Sequence, residues 1–340
     1  MRGFPVPAPI ALAAFARYAV ATGSGAVACE LCPHRCELAP GEAGHCRERF
    51  NRDGRMVLAN YGKVTHLAVD PLERRGLFHF LPGRSCLSVG SGGCNMTCNY
   101  CLNFRVSQED APFEILSPAE LVARALASGA PAIAFTYNEP VIWIEYVIDA
   151  ARLARERGLA VVLKTNGYVE AAPLADLLAC VDALNVDLKA LDSEFYGKVC
   201  GARLDPVLDT LELCAGKTHL EVTWLTIPGL NDSESEWQSG ADWIASRLGR
   251  STPVHLLAYF PRHQSPAPPT PIDTLLRARA AFRRRLDHVY LGADYVPGAR
   301  NTHCAGCGSI LVLRAREQSD PVGLDPEGRC RTCGGTRVRV

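Results

Sequence analysis

Residues 86–101 read CLSVGSGGCNMTCNYC. The apolar start predicts a buried strand, and the glycines after it predict a tight loop. The spacing C-x-x-x-C-x-x-C places the thiolates of Cys94, Cys98 and Cys101 on that loop. Three thiolates on one loop can hold a [4Fe–4S] cluster and leave its fourth iron open. The alternative is a structural zinc site with Cys86 as fourth ligand, although a closed zinc site needs no flanking glycines.

Outward from this loop, strand-like apolar runs alternate with helical patterns. The runs are rich in β-branched residues, as in strands buried on both faces, and lie at 86–90, 132–136, 160–165, 183–188, 219–227 and 254–260, with a seventh candidate at 288–293. Helices are predicted near 117–128, 140–157, 170–179, 203–215, 233–248 and 271–286, with a short one from Asp192 or Ser193 to about 199. This alternation predicts an α/β fold with a parallel sheet, as a partial (βα)6 barrel.

Composition restricts the class of protein. The chain has 340 residues, 48% hydrophobic content and no net formal charge, which is typical of a globular protein and disfavours a strongly basic nucleic-acid binder. No apolar run is long enough to predict a membrane span. Most of the 15 cysteines are grouped, which indicates metal or cluster ligands rather than disulfides. We therefore expect a reducing, cytoplasmic location.

The first residues allow two interpretations. The apolar stretch 10–16 after Arg2 could belong to an export signal, but prolines crowd the start and Arg17 interrupts the stretch. We therefore expect a short amphipathic helix near 9–21 instead. The chain as a whole divides into a cysteine-rich extension at 1–80, a barrel at 81–296 and a C-terminal module at 297–340. The proline-rich segment 261–271 is predicted to be a loop.

The extension contains a second cysteine group. Its members are Cys29, Cys32, Cys36 and Cys46. Four thiolates can hold either zinc or a second iron–sulfur cluster, and spacing alone does not choose between them. His34 and His45 lie among these cysteines and could replace one of them as a ligand.

The C-terminal module contains a third group. Cys304 and Cys307 form one C-x-x-C pair, and Cys330 and Cys333 form another after 22 further residues. Two such pairs predict a zinc-ribbon-like site with a structural role, and a rubredoxin-like iron site is the alternative.

The arrangement resembles a known family. A C-x-x-x-C-x-aromatic-C loop after the first strand of a βα barrel is similar to the radical S-adenosylmethionine (SAM) superfamily, over about residues 80–295. Within that superfamily the chain resembles the radical SAM enzymes of the AmmeMemoRadiSam system, which are often labelled as similar to pyruvate formate-lyase activating enzymes. The matching stretches are CELCPHRC (29–36), DPLE, FHF and LPG within 70–83, GCNMTCNYCLNF (93–104), TYNEP (136–140), TNGY (165–168), NVDLKA (185–190), IPGLND (227–232) and NTHCAGC (301–307).

The resemblance implies roles for individual residues. Cys94, Cys98 and Cys101 would hold the [4Fe–4S] cluster, whose open iron would bind the amino and carboxylate groups of SAM. The residues implied in binding SAM are Tyr100, Asn138, Glu139, Asn166, Asp187, Lys189 and Ile227. Most of these are polar residues at the carboxyl ends of predicted strands, where parallel βα barrels build their active sites. Activating enzymes commonly carry an acidic residue where this chain has Lys164, which could supply a positive charge directly.

Other single residues have weaker signals. The remaining histidines, together with Cys180 and Cys214, are predicted to pack in the core. His255 on the sixth strand is a candidate to face the substrate, and Cys200 could reach the cavity from the end of its helix.

The resemblance also implies a reaction. SAM would be cleaved reductively to methionine and a 5′-deoxyadenosyl radical, which removes a hydrogen atom from an unidentified substrate. The electron would come from a low-potential donor of the flavodoxin or ferredoxin type, and the group's name suggests Memo-like and AMMECR-like protein partners. Alternatives are an activase of a glycyl-radical enzyme, a non-catalytic multi-metal electron-transfer or scaffold protein, and a zinc-ribbon nucleic-acid module. The last is disfavoured by the zero net charge, so neither nucleic acid nor membrane is expected as a partner.

Overall fold

The computed structural model of the chain describes residues 14–292, 296–316 and 318–340. The strands in these ranges are β1 (Ala19–Gly23), β2 (Ala26–Cys29), β3 (Glu37–Leu38), β4 (Arg49–Arg52), β5 (Arg55–Leu58), β6 (Lys63–Val64), β7 (His66–Pro71), β8 (Ser85–Gly90), β9 (Glu114–Ile115), β10 (Ala132–Phe135), β11 (Ala160–Thr165), β12 (Ala183–Asp187), β13 (His219–Thr226), β14 (Val254–Ala258), β15 (Val289–Leu291), β16 (Thr302–His303), β17 (Ile310–Ala315) and β18 (Gln318–Asp320).

The helices alternate with the strands of the central part of the chain. They are α1 (Phe104–Ser107), α2 (Pro118–Ser128), α3 (Ile144–Glu156), α4 (Ala171–Leu178), α5 (Ser193–Phe195), α6 (Asp205–Cys214), α7 (Glu234–Arg247) and α8 (Ile272–Arg283). Short 3-10 helices cover Leu72–Arg75 and Pro140–Trp143, and a π-helix, Tyr196–Cys200, continues α5.

An eight-stranded sheet forms the centre of the molecule. Its order is β15-β14-β13-β12-β11-β10-β8-β7. Seven of these strands, from β8 to β15, are parallel to their neighbours, and β7 is antiparallel to β8. Residues on both faces of β10 and on most of β11 are buried, because helices cover the sheet. The predicted α/β fold with a parallel sheet is therefore confirmed, and β7 extends the sheet by one strand that the sequence did not reveal.

Apart from α1, which the sequence did not indicate, the helices begin within a few residues of their predicted starts. The hydroxyl of Ser117 accepts a hydrogen bond from the backbone of Glu120, and the Glu120 carboxylate accepts one from the Ser117 backbone. This capping box fixes the start of α2 because it satisfies two N–H groups that the first turn leaves without partners. The predicted proline-rich loop also holds, since α8 begins only after Pro271.

The N-terminal segment differs from the prediction. The chain from 14 to 85 contains seven short strands, for which the sequence analysis gave no prediction. Residues 9–13 of the expected amphipathic helix lie outside the described residues, and Ala19–Gly23 is a strand, so the helix prediction is wrong there. Strands of two to six residues such as these carry too few alternations to be recognised from sequence.

The C-terminal segment forms a small sheet of order β16-β17-β18. The Arg314 guanidinium donates to the backbone carbonyl of Phe78 at 2.6 Å. That of Arg339 donates to the carbonyl of Asp182 at 3.0 Å, directly before β12 begins. The C-terminal segment therefore packs at the amino ends of the parallel strands, opposite the end where the conserved architecture of such folds places chemistry.

No helix within the described ranges is long and apolar enough to cross a membrane.

Candidate active site

A cavity of about 290 Å³ opens at the carboxyl ends of the parallel strands. Nine of the predicted functional residues line it: Cys94, Cys98, Tyr100, Cys101, Asn138, Glu139, Asn166, Asp187 and Lys189. The fold thus brings together residues that are far apart in the chain, because each follows or ends a strand of the same sheet.

Ile227 is not brought to this cavity. Its side chain is fully buried, and its backbone N–H donates to Oδ1 of Asn231 at 2.7 Å. Alternate residues of β13, Thr223 and Leu225, face the cavity, but the strand ends at Thr226 and the chain turns, so the alternation does not continue to Ile227. Leu225 and Leu257 provide the apolar wall instead.

The cysteine loop is held in a tight cradle. Gly93 has a φ of +82°, and a Cβ on it would lie 2.5 Å from Cγ of Glu48 and 2.7 Å from the carbonyl oxygen of Cys46. Only glycine fits such a left-handed, crowded position without strain. The Asn138 side-chain amide donates to the carbonyls of Gly92 and Gly93, at 3.0 and 3.2 Å. The end of β10 therefore clamps the loop from the side.

The cysteine sulfurs have polar neighbours. The Met96 backbone N–H donates to Sγ of Cys94 at 3.3 Å, and the amide of Asn166 approaches the same sulfur at 3.6 Å. The hydroxyl of Ser107 lies 3.3 Å from Sγ of Cys101. Donors aimed at sulfur stabilise metal-bound thiolates and tune their potential.

Glu139 is a buried carboxylate at the edge of the cavity. Its Oε1 accepts from the backbone of Val141 at 2.9 Å and from the hydroxyl of Thr165 at 2.6 Å. Its Oε2 accepts from the backbone N–H of Asn166 at 2.7 Å. Burial raises the pKa of Glu139 to about 7, against the effect of these three donors. The carboxylate links β10 to the end of β11 and remains at the wall of the cavity.

Three charged groups meet across the carboxyl ends of β11 and β12. The ammonium of Lys164 donates to Oδ1 of Asp187 at 2.8 Å, and that of Lys189 lies 3.4 Å from Oδ2. Burial alone would raise the pKa of Asp187, but the two lysines hold it below its ordinary value. Two cations on one carboxylate leave a net positive charge at the cavity wall.

Comparison with known proteins agrees with this geometry. Residues 88–242 match the family model of the radical SAM superfamily. An uncharacterized protein of Methanocaldococcus jannaschii is 40% identical over 318 residues, which are 91% of this chain and 94% of that protein. The chain belongs to the radical SAM superfamily.

Two further proteins are similar to this chain. The benzylsuccinate synthase activating enzyme of Thauera aromatica is 23% identical over 241 residues, which are 67% of this chain and 71% of that enzyme. The crystal structure of a radical SAM methyltransferase from Sphaerobacter thermophilus superposes with a TM-score of 0.51 at 19% identity, over 68% of this chain and 71% of that one. The second comparison shows a shared fold.

The radical SAM superfamily implies a [4Fe–4S] cluster and SAM, and the residues of this chain fit both. Three thiols converge on one cavity with donors aimed at two of them. The cavity is lined by the thiols, by charged groups and by apolar side chains, as an amino acid joined to a nucleoside requires.

Cys200 does not line the cavity that the sequence allowed it to reach, and lies behind the cysteine loop instead. Cys200, at the end of the π-helix, is fully buried, and its thiol donates to Cys98, which lowers the pKa of Cys98 to about 7. The hydroxyl of Tyr100 lies 3.7 Å from Sγ of Cys200. The backbone of the π-helix also receives the N–H groups of Thr97 and Asn99, so this helix supports the cysteine loop from behind.

His255 does not face the cavity, so the prediction that it could face the substrate is wrong. Its Nε2 lies 2.7 Å from Oε2 of Glu221, and its ring packs against Phe78. Only Leu257 and Ala258 of β14 reach the cavity, because His255 lies nearer the amino end of that strand. It belongs to a buried polar cluster at the bottom of the barrel.

The two peripheral cysteine groups are each brought together. The sulfurs of Cys304, Cys307, Cys330 and Cys333 all lie within 4.8 Å of one another, as ligands of one metal ion would. The other group, which is Cys29, Cys32, Cys36 and Cys46, lines a small enclosed cavity beside the Cys94 loop.

Proposed function

We propose that this chain is a radical SAM enzyme that reductively cleaves SAM and abstracts a hydrogen atom from a substrate. The observation that carries the proposal is the convergence of Cys94, Cys98 and Cys101 with Glu139 and Lys189 on one cavity at the carboxyl ends of parallel strands. A multi-metal scaffold without chemistry has no need for such a cavity beside its thiols.

The chain's own residues would divide the work as follows. The three thiolates would hold the cluster and leave one iron for the amino and carboxylate groups of SAM. When bound, the cluster supplies the electron that breaks the sulfonium bond. Glu139 would bind the amino group of SAM, and the Lys164–Asp187–Lys189 group would attract its anionic groups.

The apolar wall would hold the nucleoside. Leu225, Leu257 and the ring of Tyr259 line the cavity, and Tyr259 is 2% exposed. Tyr100, 5% exposed, lies between this wall and the cysteines. Side chains packed this tightly would exclude water from a reactive organic radical, which limits side reactions.

The resemblance to the AmmeMemoRadiSam group supports a finer assignment. That group matches the chain in all three of its cysteine regions, and its name supports association with Memo-like and AMMECR-like proteins. A flavodoxin- or ferredoxin-type donor would deliver the electron, as is typical of activating enzymes in the superfamily.

A glycyl-radical enzyme activase is the second candidate. It is favoured by the similarity to the benzylsuccinate synthase activating enzyme and by the rim of the cavity, where Leu102 is 69% and Phe260 is 52% exposed. An exposed apolar rim suits a polypeptide substrate. Transfer of deuterium from a peptide with α-deuterated glycine to 5′-deoxyadenosine would support this candidate, whereas transfer from non-peptide substrates alone would exclude it.

The experiment that tests the proposed function measures SAM cleavage. Anaerobically reconstituted protein with dithionite and SAM should release methionine and 5′-deoxyadenosine. Cys98→Ala should abolish the release, while Cys180→Ala, which removes a buried thiol outside the cavity, should retain it. Release of 5′-deoxyadenosine by the Cys98→Ala protein at the wild-type rate would refute the proposal.

We also propose zinc for the C-terminal group. Its sulfurs are paired at 3.5 Å (Cys304 with Cys333) and 3.6 Å (Cys307 with Cys330), and two thiolates per loop are typical of zinc-ribbon sites. Its position at the amino ends of the strands supports a structural role.

A further inference from the structure

The cavity among the N-terminal cysteines is enclosed and placed within the protein. Cys29, Cys32 and Cys46 are buried, and Cys36 is half-buried. Apolar side chains, which are Leu31, Leu38 and Ile142, complete the walls. Ile142 belongs to the 3-10 helix that precedes α3 in the central part of the chain. The cavity therefore lies between the N-terminal strands and the barrel.

The spacing of the sulfurs differs between the cysteine groups. In the described part of the chain, one set of three or more metal-ligating side chains has all its ligand atoms within 4.8 Å of one another, and it is the C-terminal set. No three of the N-terminal sulfurs are that close together. The sulfurs of Cys94, Cys98 and Cys101, the superfamily's cluster ligands, share this wider spacing. A single zinc ion draws four thiolates to within about 4 Å of one another, because each Zn–S bond is about 2.3 Å long.

Iron and sulfide ions lying between the thiolates would account for the wider spacing of the N-terminal sulfurs.

A buried arginine with one unpartnered N–H group lines the same cavity. Arg49 is 1% exposed, and its Nη1 contacts both carboxylate oxygens of Glu145 at 3.0 Å. Its Nε is buried and has no hydrogen-bond partner. Arg49 lines the cavity, so this N–H is available to an acceptor within it. A buried donor without a partner is costly, and the sulfur atoms of an anionic cluster would satisfy it.

Backbone donors surround the cysteine sulfurs as well. The N–H of His45 donates to Sγ of Cys36 at 3.4 Å. The N–H of His34 donates to the sulfur of Cys32, and that of Glu48 to the sulfur of Cys46. Hydrogen bonds to sulfur stabilise the charge of bound thiolates and sulfides.

We propose that Cys29, Cys32, Cys36 and Cys46 hold a second iron–sulfur cluster, with Arg49 donating to it. The four side chains supply all of its ligands, so this cluster has no open iron for SAM. The proposal goes beyond the SAM cleavage proposed above and is independent of it.

The second cluster would lie next to the SAM-cleaving site. His34, two residues after Cys32, has its Nε2 2.7 Å from the carbonyl oxygen of Asn95, which follows Cys94. The position of a Cβ on Gly93 would be 2.7 Å from the carbonyl oxygen of Cys46, so the two loops are in direct contact. A low-potential one-electron donor could reduce this second cluster by one electron. The second cluster would then pass that electron to the cluster held by Cys94, Cys98 and Cys101, and would itself return to its oxidised state.

The test separates the two clusters by mutation. Full-length protein carrying Cys94→Ser, Cys98→Ser and Cys101→Ser, purified anaerobically, should retain iron and acid-labile sulfide in equal amounts, at ~2 to 4 of each per chain. It should also give an iron–sulfur EPR signal after reduction. The matching Cys29→Ser, Cys32→Ser variant should lose about that amount of iron from the wild-type content. Iron at background level in the first variant, with zinc bound in addition to the C-terminal ion, would overturn the proposal.

A measurement on the wild-type protein covers the case in which variants do not fold. The reduced wild type should show two iron–sulfur EPR signals, of which SAM shifts one and leaves the other unchanged. A single signal that SAM shifts completely, with no additional iron by Mössbauer spectroscopy, would contradict the second cluster. That result would leave the proposed SAM cleavage intact, so the two proposals fail separately.

Discussion

At the scale of single residues, the site depends on the groups that support the cysteine loop as much as on the cysteines themselves. The Cys200 thiol, the Asn138 amide and the crowded space around Gly93 each constrain the loop. Such supporting groups set the orientation and potential of a metal site. Two of them lead to direct tests.

Replacing Cys200 by Ala should change the cluster's potential without removing the cluster. The Cys200 thiol donates to Cys98, and loss of a donor to a ligand thiolate disfavours the more negatively charged, reduced cluster. We expect a more negative midpoint in an EPR-monitored redox titration, with unchanged iron content. Cys180→Ala is the control. Iron loss as complete as in Cys98→Ala would instead make Cys200 a ligand.

Replacing Gly93 by Ala should prevent cluster assembly. A Cβ at this position would contact Glu48, Cys46 and Ile142 at under 3.0 Å. Gly129→Ala is a matched control, because its φ of +72° imposes the same left-handed strain of about 1–2 kcal/mol while its surroundings are open. Iron analysis and urea unfolding should show a larger loss for Gly93→Ala on both measures. Equal losses in the two variants would mean that backbone strain, not crowding, is decisive.

Sequence reasoning reached much of the site at this scale. Nine of the residues predicted to form the site line the cavity. They do so because the carboxyl ends of the strands of a parallel sheet lie at one edge, which depends on the fold and not on the individual side chains. The position of Ile227 could not be predicted in this way, because the turn after Thr226 ends the alternation of side chains along β13. The partners of Asn138 depend on how loops pack and could not be read from spacing.

At the scale of elements, long periodic segments were predictable and short ones were not. The six strands from β8 to β14 that make the barrel are continuous apolar runs, and α2 begins at a capping box. The N-terminal strands are mostly two to five residues long and pair through tertiary contacts. β7 owes its strand conformation to pairing along β8, from His66 with Gly90 to Pro71 with Ser85.

The strands β13, β14 and β15 also bury a polar cluster with consequences for pH. Glu221 on β13 accepts hydrogen bonds from His219 and His255, and from the backbone of Phe78 and His79. Burial holds the pKa of His79 well below its ordinary value of 6.5, and it also lowers that of His255. These rings are neutral in the folded state near neutral pH.

Stability should therefore fall as the solution becomes acidic. Below about pH 6.5 the unfolded chain binds protons on these histidines while the folded chain does not, so the free energy of unfolding decreases toward about pH 5. His79→Gln should reduce this slope by up to about 1.4 kcal/mol per pH unit. Urea unfolding across this range checks it, with the exposed His66→Gln as control. An unchanged slope in His79→Gln would contradict the neutral assignment.

At the scale of the whole molecule, the three cysteine groups occupy different positions. The group of Cys94, Cys98 and Cys101 lies at the carboxyl ends of the strands, the N-terminal group lies beside it, and the C-terminal group lies at the opposite end. The C-terminal module has a small core of its own, which includes Leu311, Leu324 and Val338. This arrangement would separate the proposed structural metal from the proposed redox chemistry.

Removing the C-terminal metal should unfold that module selectively. Cys304→Ser with Cys330→Ser should lose one zinc and raise amide hydrogen exchange over 302–340, because a small core of this kind depends on its metal. The central sheet should keep its protection, and SAM cleavage should persist. Hydrogen exchange followed by mass spectrometry makes the comparison. Loss of protection throughout the β8–β15 sheet would show that the module is required for the fold of the barrel.

The central claim is that the cluster held by Cys94, Cys98 and Cys101 has one iron free for SAM. Electron–nuclear double resonance tests it most directly, on reduced protein with SAM labelled with ¹⁵N in the amino group and ¹⁷O in the carboxylate. The account predicts hyperfine coupling from both labels to the cluster, and loss of both in Cys98→Ala. Absence of coupling in the wild type, with a fourth protein ligand on the remaining iron, would contradict it.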